Sequence, residues 1–265
     1  MPKTNVQGPI LVVDIGNTNI VCAVFYDNEL RARYRMPSTL QASPREYFSR
    51  IGQIMPEYPL ASFNYVALGS VVPSLTSVWD EMLTRYSNSR IYSINGLSPI
   101  GLKYLIEDRS VVGADLVANA FAAWTKYKCS TIVVDLGTAT TIQLITSDAL
   151  YAGVAIAPGV KTAASQLFSK AAQLNEFKFV APSSIIGNNT EDALRSGILM
   201  GHALMIEGFI SAIARDYSQY APYKVILTGG LASSIAPLCP SEYILDNDLT
   251  LWGFYWALLS LISES

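Results

Sequence analysis

The sequence predicts a mixed α/β protein built from a duplicated unit, on three observations. LVVDIGNTN (Leu11 to Asn19) and IVVDLGTATT (Ile132 to Thr141) are each a short apolar run ending in an aspartate. An apolar residue, a glycine and a cluster of small hydroxyl or amide residues follow in both. Asp135 stands 121 positions after Asp14 in a chain of 265 residues. In each half the copy leads into the same order of elements, a hairpin and a further strand and then helices. Two similar α/β domains meeting at a cleft are expected, with the boundary near Ala118 to Ser130: residues 1–118 in the first, 119–265 in the second.

Each element has a local reason. Ile10 to Asp14 reads as a buried strand, Val21 to Tyr26 as its hairpin partner, and Glu29 to Arg35, where charged and apolar residues alternate, as a third strand. Ser43 to Met55 has helical spacing after a Ser-Pro start, and Ser74 to Arg85 reads as a helix after the strand Tyr65 to Pro73. Gly113 to Tyr127 is alanine-rich with apolar residues at helical spacing. The pattern then restarts with strands at Thr131–Asp135, Thr141–Thr146 and Ala152–Ala157. Helices follow around Lys161–Leu174 and Glu191–Tyr217. Lys224 to Ser233 is a buried strand running into a double glycine, and Leu251 to Ile262 is a closing helix.

Composition narrows the function classes. Apolar residues make up 51% and charged residues 15%, which is a globular balance and not a disordered one. A net charge of −3, a pI near 5.2 and no Lys/Arg run argue against a nucleic-acid partner held by phosphate contacts. Mean hydropathy is high at +0.29, but Tyr151–Gly159 and Leu251–Ile262, the most apolar stretches, are too short to span a bilayer. Cys22, Cys129 and Cys239 are odd in number and far apart, as expected of reduced, mostly buried thiols in a cytoplasm. The single histidine, His202, leaves no histidine-rich zinc site and reads as a packed or half-exposed helical residue.

The repeated segments suggest the chemistry. A carboxylate at the end of a buried strand needs partners. Gly16 and Gly137 allow tight turns and close backbone approach. Asn17, Thr18 and Asn19 in the first copy, and Thr138, Thr140 and Thr141 in the second, supply donors for phosphate oxygens. Asp14 and Asp135 would repel phosphate directly, so their natural role is to hold a cation between themselves and it. The structural alternative is a pair of β-turns rich in turn-formers, each aspartate capping backbone amides. No G-x-x-x-x-G-K-[ST], no G-x-G-x-x-G after a strand and no G-x-S-x-G elbow occurs, so a phosphate site here needs another device.

These residues resemble the superfamily of acetate and sugar kinases, heat-shock chaperones and actin, and within it type III pantothenate kinase. DIGNTNI (Asp14 to Ile20), SVVP (Ser70 to Pro73), GAD (Gly113 to Asp115) and DLGTATT (Asp135 to Thr141) fall in that family's order. PG (Pro158, Gly159), IGNNTEDALRSGILMG (Ile186 to Gly201) and TGGLA (Thr228 to Ala232) follow in order. The resemblance runs from about Leu11 to Leu259 and implies two ribonuclease H-like domains of the actin-like ATPase fold. It implies a homodimer and ATP-dependent phosphorylation of the pantothenate 4′-hydroxyl, the first step toward coenzyme A. On it, Gly16 to Asn19 and Gly137 to Thr141 hold the ATP phosphates. Asp14 lies near Mg2+, and Asp135 is associated with a monovalent cation, K+ or NH4+. Asp115 matches the general base, although its place at a helix start equally suits a cap. Gly229 and Gly230 would lie beside adenine or serve helix packing. Tyr104, Gly113, Ala114 and Thr190 fall on the pantothenate side, Thr190 also suiting a helix cap.

The chain departs from the family pattern mainly on the acceptor side. Leu116 stands where an arginine usually follows the GAD aspartate, and losing such a charge-assisted contact costs roughly 1.5–3 kcal/mol. Arg109 is a candidate replacement. Val154 replaces a glycine, Gln143 an aspartate, and Leu174-Asn175 a Leu-Pro pair. The competing expectation is a catalytically weak or inactive relative acting as a nucleotide-binding transcriptional accessory protein.

Overall fold

The computed structural model describes residue 6, residues 8–170 and residues 177–263. Strands β1 (Ile10–Ile15), β2 (Asn19–Tyr26), β3 (Glu29–Pro37), β4 (Tyr65–Ser70) and β5 (Arg90–Ile94) form one sheet in the order β3-β2-β1-β4-β5. β2 is antiparallel to β1 and β3, while β4 and β5 continue parallel to β1. A second sheet holds β6 (Lys103–Tyr104), β7 (Ser130–Leu136), β8 (Ala139–Ile145), β9 (Leu150–Pro158), β10 (Tyr223–Thr228) and β11 (Ile244–Leu245). Its order is β11-β10-β7-β8-β9-β6. Apart from the two-residue β6 at its edge, it repeats the first sheet strand for strand and direction for direction.

The chain divides into two compact units. One contains residues up to Leu102, Glu107–Ala122 and the segment from Thr250 on; the other contains Lys103–Ile106 and Ala123–Leu249. In the first unit, Leu11, Val13 and Ile15 of β1 pack against α1 (Pro44–Ile54) and α2 (Pro73–Tyr86) through Tyr47, Ile51, Trp79 and Leu83. α1 starts on a capping box in which Ser43 and Glu46 satisfy each other's backbone amides, as the Ser-Pro start suggested. The other face of this sheet carries α8 (Leu249–Ser263): Phe25 stacks on Tyr255 with ring centroids 4.2 Å apart. Gly69 leaves the space that the Phe254 ring fills, since a Cβ there would lie 2.0 Å from it. Gly253 meets Ala118 of α3 (Ala114–Tyr127) just as closely.

The second unit packs Ile132, Val134 and Leu136 of β7 against Val160 of α4 (Val160–Lys170) and Leu199, Ala203 and Ile206. Those last three lie on a helical run of 27 residues, Thr190–Asp216, long and apolar enough by length and composition to cross a membrane. It is α5 (Thr190–Arg195), a π turn (Ser196–Met200) and α6 (Gly201–Asp216). The sequence suggested one regular helix here; the π turn is the difference. α7 (Ala232–Ile235) is a single turn after β10. The strands not foreseen, β5, β6 and β11, are edge elements two to five residues long with half-exposed, mixed residues, too short for a period to register. Residues beyond Lys170 of the helix expected to Leu174, and the Leu174-Asn175 pair, lie outside the described residues.

Candidate active site

The two strand-to-turn segments are built alike. After β1 the Gly16 N–H donates to the Asn19 carbonyl (3.0 Å), and after β7 the Gly137 N–H donates to the Ala139 carbonyl (3.0 Å). Each turn is then fastened by the residue that follows the third strand of its meander, β3 or β9. Ser38 donates its N–H to the Thr18 carbonyl (3.0 Å) and its hydroxyl to the Gly16 carbonyl (2.6 Å). Gly159 donates its N–H to the Thr138 carbonyl (3.2 Å), which also accepts from the Thr162 hydroxyl (2.7 Å). A Cβ on Gly159 would sit 2.4 Å from the Thr138 oxygen, so only glycine fits. With these carbonyls engaged, an anion at either turn meets exposed Asn17 and Thr18, or exposed Thr138, rather than unpaired oxygens. Pro158-Gly159 stood out in the sequence as a motif; its counterpart Pro37-Ser38 did not.

Both aspartates are half-buried in corresponding registers. Asp14 faces Val21 on β2 and Gly69 on β4; Asp135 faces Thr141 on β8 and Thr228 on β10. Thr228 is fully buried, and the hydroxyls of Thr141 and Thr228 have no hydrogen-bond partner among the described residues. Gly229 adopts φ +94°, and a Cβ there would lie 2.3 Å from Asp135 Oδ1, so the glycine is required by the carboxylate beside it. Gly230 is exposed. Asp14 also adds its charge to burial in pushing the Cys22 thiol up to about 12, which leaves that cysteine inert.

Thr140 departs from its expected phosphate role. It is fully buried, and its hydroxyl lies 2.8 Å from His202 Nε2. Thr140 pairs with Leu136 and so shares the core face, opposite to Asp135. Only its backbone is left for a ligand. His202 is therefore a buried polar partner of the second turn; burial lowers its pKa, so the ring is neutral at pH 7.

The residues expected on the acceptor side fall some in one unit and some in the other. Val71 donates its N–H to the carbonyl of Ile15 (3.0 Å), and its side chain approaches Gly113, where a Cβ would lie 3.3 Å from Val71 Cγ1 and 2.6 Å from Asp115 Oδ1. Gly113 thus makes room for the Asp115 carboxylate next to the end of β1. That carboxylate caps the helix, accepting from the Leu116 N–H (2.8 Å). Burial still outweighs this and raises its pKa above the usual range. An uncharged cavity of about 560 Å³ is lined by Ser70, Val71, Thr76, Asn95, Val112 and Gly113 among others, but not by Asp115 itself. Ala114 lines it too; Leu116 is buried at 8% exposure and brings no cation. Arg109 is exposed and precedes Ser110 and Val111, which line the cavity. Tyr104 and Thr190 belong to the second unit. Tyr104 packs near Tyr151 with ring centroids 5.7 Å apart, and Thr190 is exposed at the start of α5 behind the Asn189 cap.

Repeated sheets of this order, each with an aspartate ending its first strand and a glycine turn after it, define the actin-like ATPase fold. Solved structures agree: MreB 5 of Spiroplasma citri bound to AMPPNP aligns with a TM-score of 0.55 at 9% identity over 98% of each chain. The Acidaminococcus fermentans (R)-2-hydroxyglutaryl-CoA dehydratase component A aligns at 0.56 and 12% identity, over 98% of this chain and 100% of that one. Within the fold the family is specific. The type III pantothenate kinase family model matches residues 10–212. A type III pantothenate kinase of Thermomicrobium roseum is 39% identical over 246 residues (92% of this chain, 94% of that one). One from Desulforapulum autotrophicum is 36% identical over 252 residues (92% and 94%). The chain belongs to the type III pantothenate kinase family.

Proposed function

We propose a division of labour among these residues in the family reaction. The chain is an ATP-dependent kinase that transfers the γ-phosphoryl group of ATP to pantothenate and uses a divalent metal. Asp115 takes the proton of the 4′-hydroxyl as that oxygen bonds to the γ-phosphorus and the bond to ADP breaks. Its raised pKa, and a cavity lined by the two residues that precede it, Gly113 and Ala114, support this role. Gly16 to Asn19 and Gly137 to Thr141 hold phosphate oxygens, and Gly229 with Gly230 borders the adenosine.

Among the described residues no three His, Cys, Asp or Glu side chains cluster as a protein-only metal site. The single half-buried carboxylate of Asp14 beside the first turn fits Mg2+, which takes one or two carboxylates and completes its shell with water and phosphate. Asp14 would hold it, and the ion would neutralise charge on the transferring phosphoryl group. Asp135 with the Thr141 and Thr228 hydroxyls, which have no hydrogen-bond partner among the described residues, offers one carboxylate and neutral oxygens, a donor set suited to K+ or NH4+. Exposed apolar residues on α6, Leu204 at 51% and Phe209 at 38%, support the homodimer. Three free cysteines support a cytoplasmic setting. Neither a nucleic acid nor a membrane enters the scheme.

The observation that carries the reading is the duplicated aspartate and fastened turn, with half-buried Asp115 held by Gly113 next to the end of β1. The test is ADP release from ATP with Mg2+ and K+, with and without pantothenate. Pantothenate-dependent turnover is expected. ATP binding without such turnover overturns the reading.

A further inference from the structure

We propose that Arg35 contacts the phosphate groups held at the first turn, supplying a cationic charge that neither turn itself contains. The inference rests on the assignment of Gly16 to Asn19 to ATP phosphates. Gly16, Asn17, Thr18, Asn19 and Gly137 to Thr141 include no lysine or arginine. Phosphoryl transfer is catalysed by alignment and charge neutralisation, and a guanidinium matches phosphate oxygens in a planar fork.

The sheet register places one such group. Val21 of β2 lies opposite both Asp14 of β1 and Arg35 of β3, so all three share one face and one row. Arg35 lies two strand spacings from Asp14, about 10 Å, enough for a phosphate group between a carboxylate-held cation and a long cationic side chain. Three residues further on, Ser38 fastens the turn itself, so the strand bearing Arg35 is anchored to the phosphate-holding backbone. The Arg35 side chain is exposed and makes no ion pair or hydrogen bond among the described residues. Arg31 on the same strand is occupied, at 2.9 Å from Glu29.

The duplication supplies an internal control. In the second sheet the residue at the same place, opposite Thr141, is Ile156, which is 67% exposed. A charge at this point of the third strand is therefore no requirement of the fold. The competing explanation is that Arg35 keeps an exposed edge strand from pairing with other chains. That role would be shared by Arg31.

The experiment measures MgATP affinity by calorimetry, together with kcat and KM for ATP, for Arg35→Gln, Arg35→Lys and Arg31→Gln, with thermal melting as a check on folding. Arg35→Gln is expected to weaken MgATP binding or kcat/KM at least tenfold with an unchanged melting temperature. Arg35→Lys should fall between it and the parent, and Arg31→Gln should stay within twofold. Arg35→Gln within twofold of the parent, or an equal loss in Arg31→Gln, overturns the proposal. Asp14→Asn in the same assay separates the two levels. If it fails while Arg35→Gln is unaffected, only the Arg35 role is wrong. If neither changes, the turn assignment falls with it.

Discussion

The two halves of the molecule carry the same row of four positions across their sheets, filled differently. The first row reads Arg35, Val21, Asp14, Gly69, and the second reads Ile156, Thr141, Asp135, Thr228. The backbone device beside each row is shared: aspartate, glycine turn, and a residue after the third strand that fastens the turn. The side chains are not shared. The first carboxylate has a guanidinium in its row and a glycine where α8 presses Phe254 on the sheet; the second is flanked by two hydroxyls without hydrogen-bond partners among the described residues. The fastened turns are alike in the two sheets, and the neighbours of each carboxylate have diverged. The lesson is that the two aspartates should serve different ions.

The largest expected effect concerns Asp115, the proposed general base. Asp115→Asn should lower kcat by about 10²–10⁴. Burial raises the folded-state pKa of Asp115 above its unfolded value, so its contribution to stability is present at low pH and lost as pH rises through that pKa. The ionised carboxylate therefore disfavours folding at pH 7, and Asp115→Asn should melt at the same temperature or higher. In the parent, kcat/KM should fall as pH drops through a pKa above the ordinary aspartate range. An acid limb at the ordinary aspartate value would remove Asp115 as the base.

Next come the fastenings. Gly159→Ala forces a Cβ onto the Thr138 carbonyl and should cost about 1–3 kcal/mol, with weaker ATP binding. Ser38→Ala removes only a hydroxyl from the first turn and should cost about 1 kcal/mol. Denaturant titration checks both, and equal costs would mean that the two turns are not held as described.

Arg109→Gln tests whether the acceptor side recovers the cation that Leu116 does not provide. The KM for pantothenate should rise several-fold with kcat little changed, measured by steady-state kinetics. Gln143 gives the smallest effect. Its amide is fully buried with neither atom partnered among the described residues, so Gln143→Met should leave the melting temperature unchanged or raise it.

Much of this was legible in the residues. The apolar runs ending in Asp14 and Asp135, and the restart of the pattern after Tyr127, expose the duplicated sheets because both central strands are buried and unbroken. The GAD glycine and aspartate were legible as a pair, but not that Gly113 clears space for the Asp115 side chain, a contact only three-dimensional packing shows. The His202–Thr140 bond was hidden because 62 residues separate the partners and His202 carries no local signal. Arg35 was hidden for a related reason: alternation marked its strand, but only the register across three strands aligns it with Asp14.

The central claim is that the two equivalent carboxylates divide the ions between them. It is tested most directly by titrating activity with Mg2+ and separately with K+ in Asp14→Asn and Asp135→Asn. The predicted result is crossed: Asp14→Asn shifts the Mg2+ requirement and leaves the K+ midpoint in place, and Asp135→Asn does the reverse. Both variants shifting the same ion, or each shifting both alike, would contradict it.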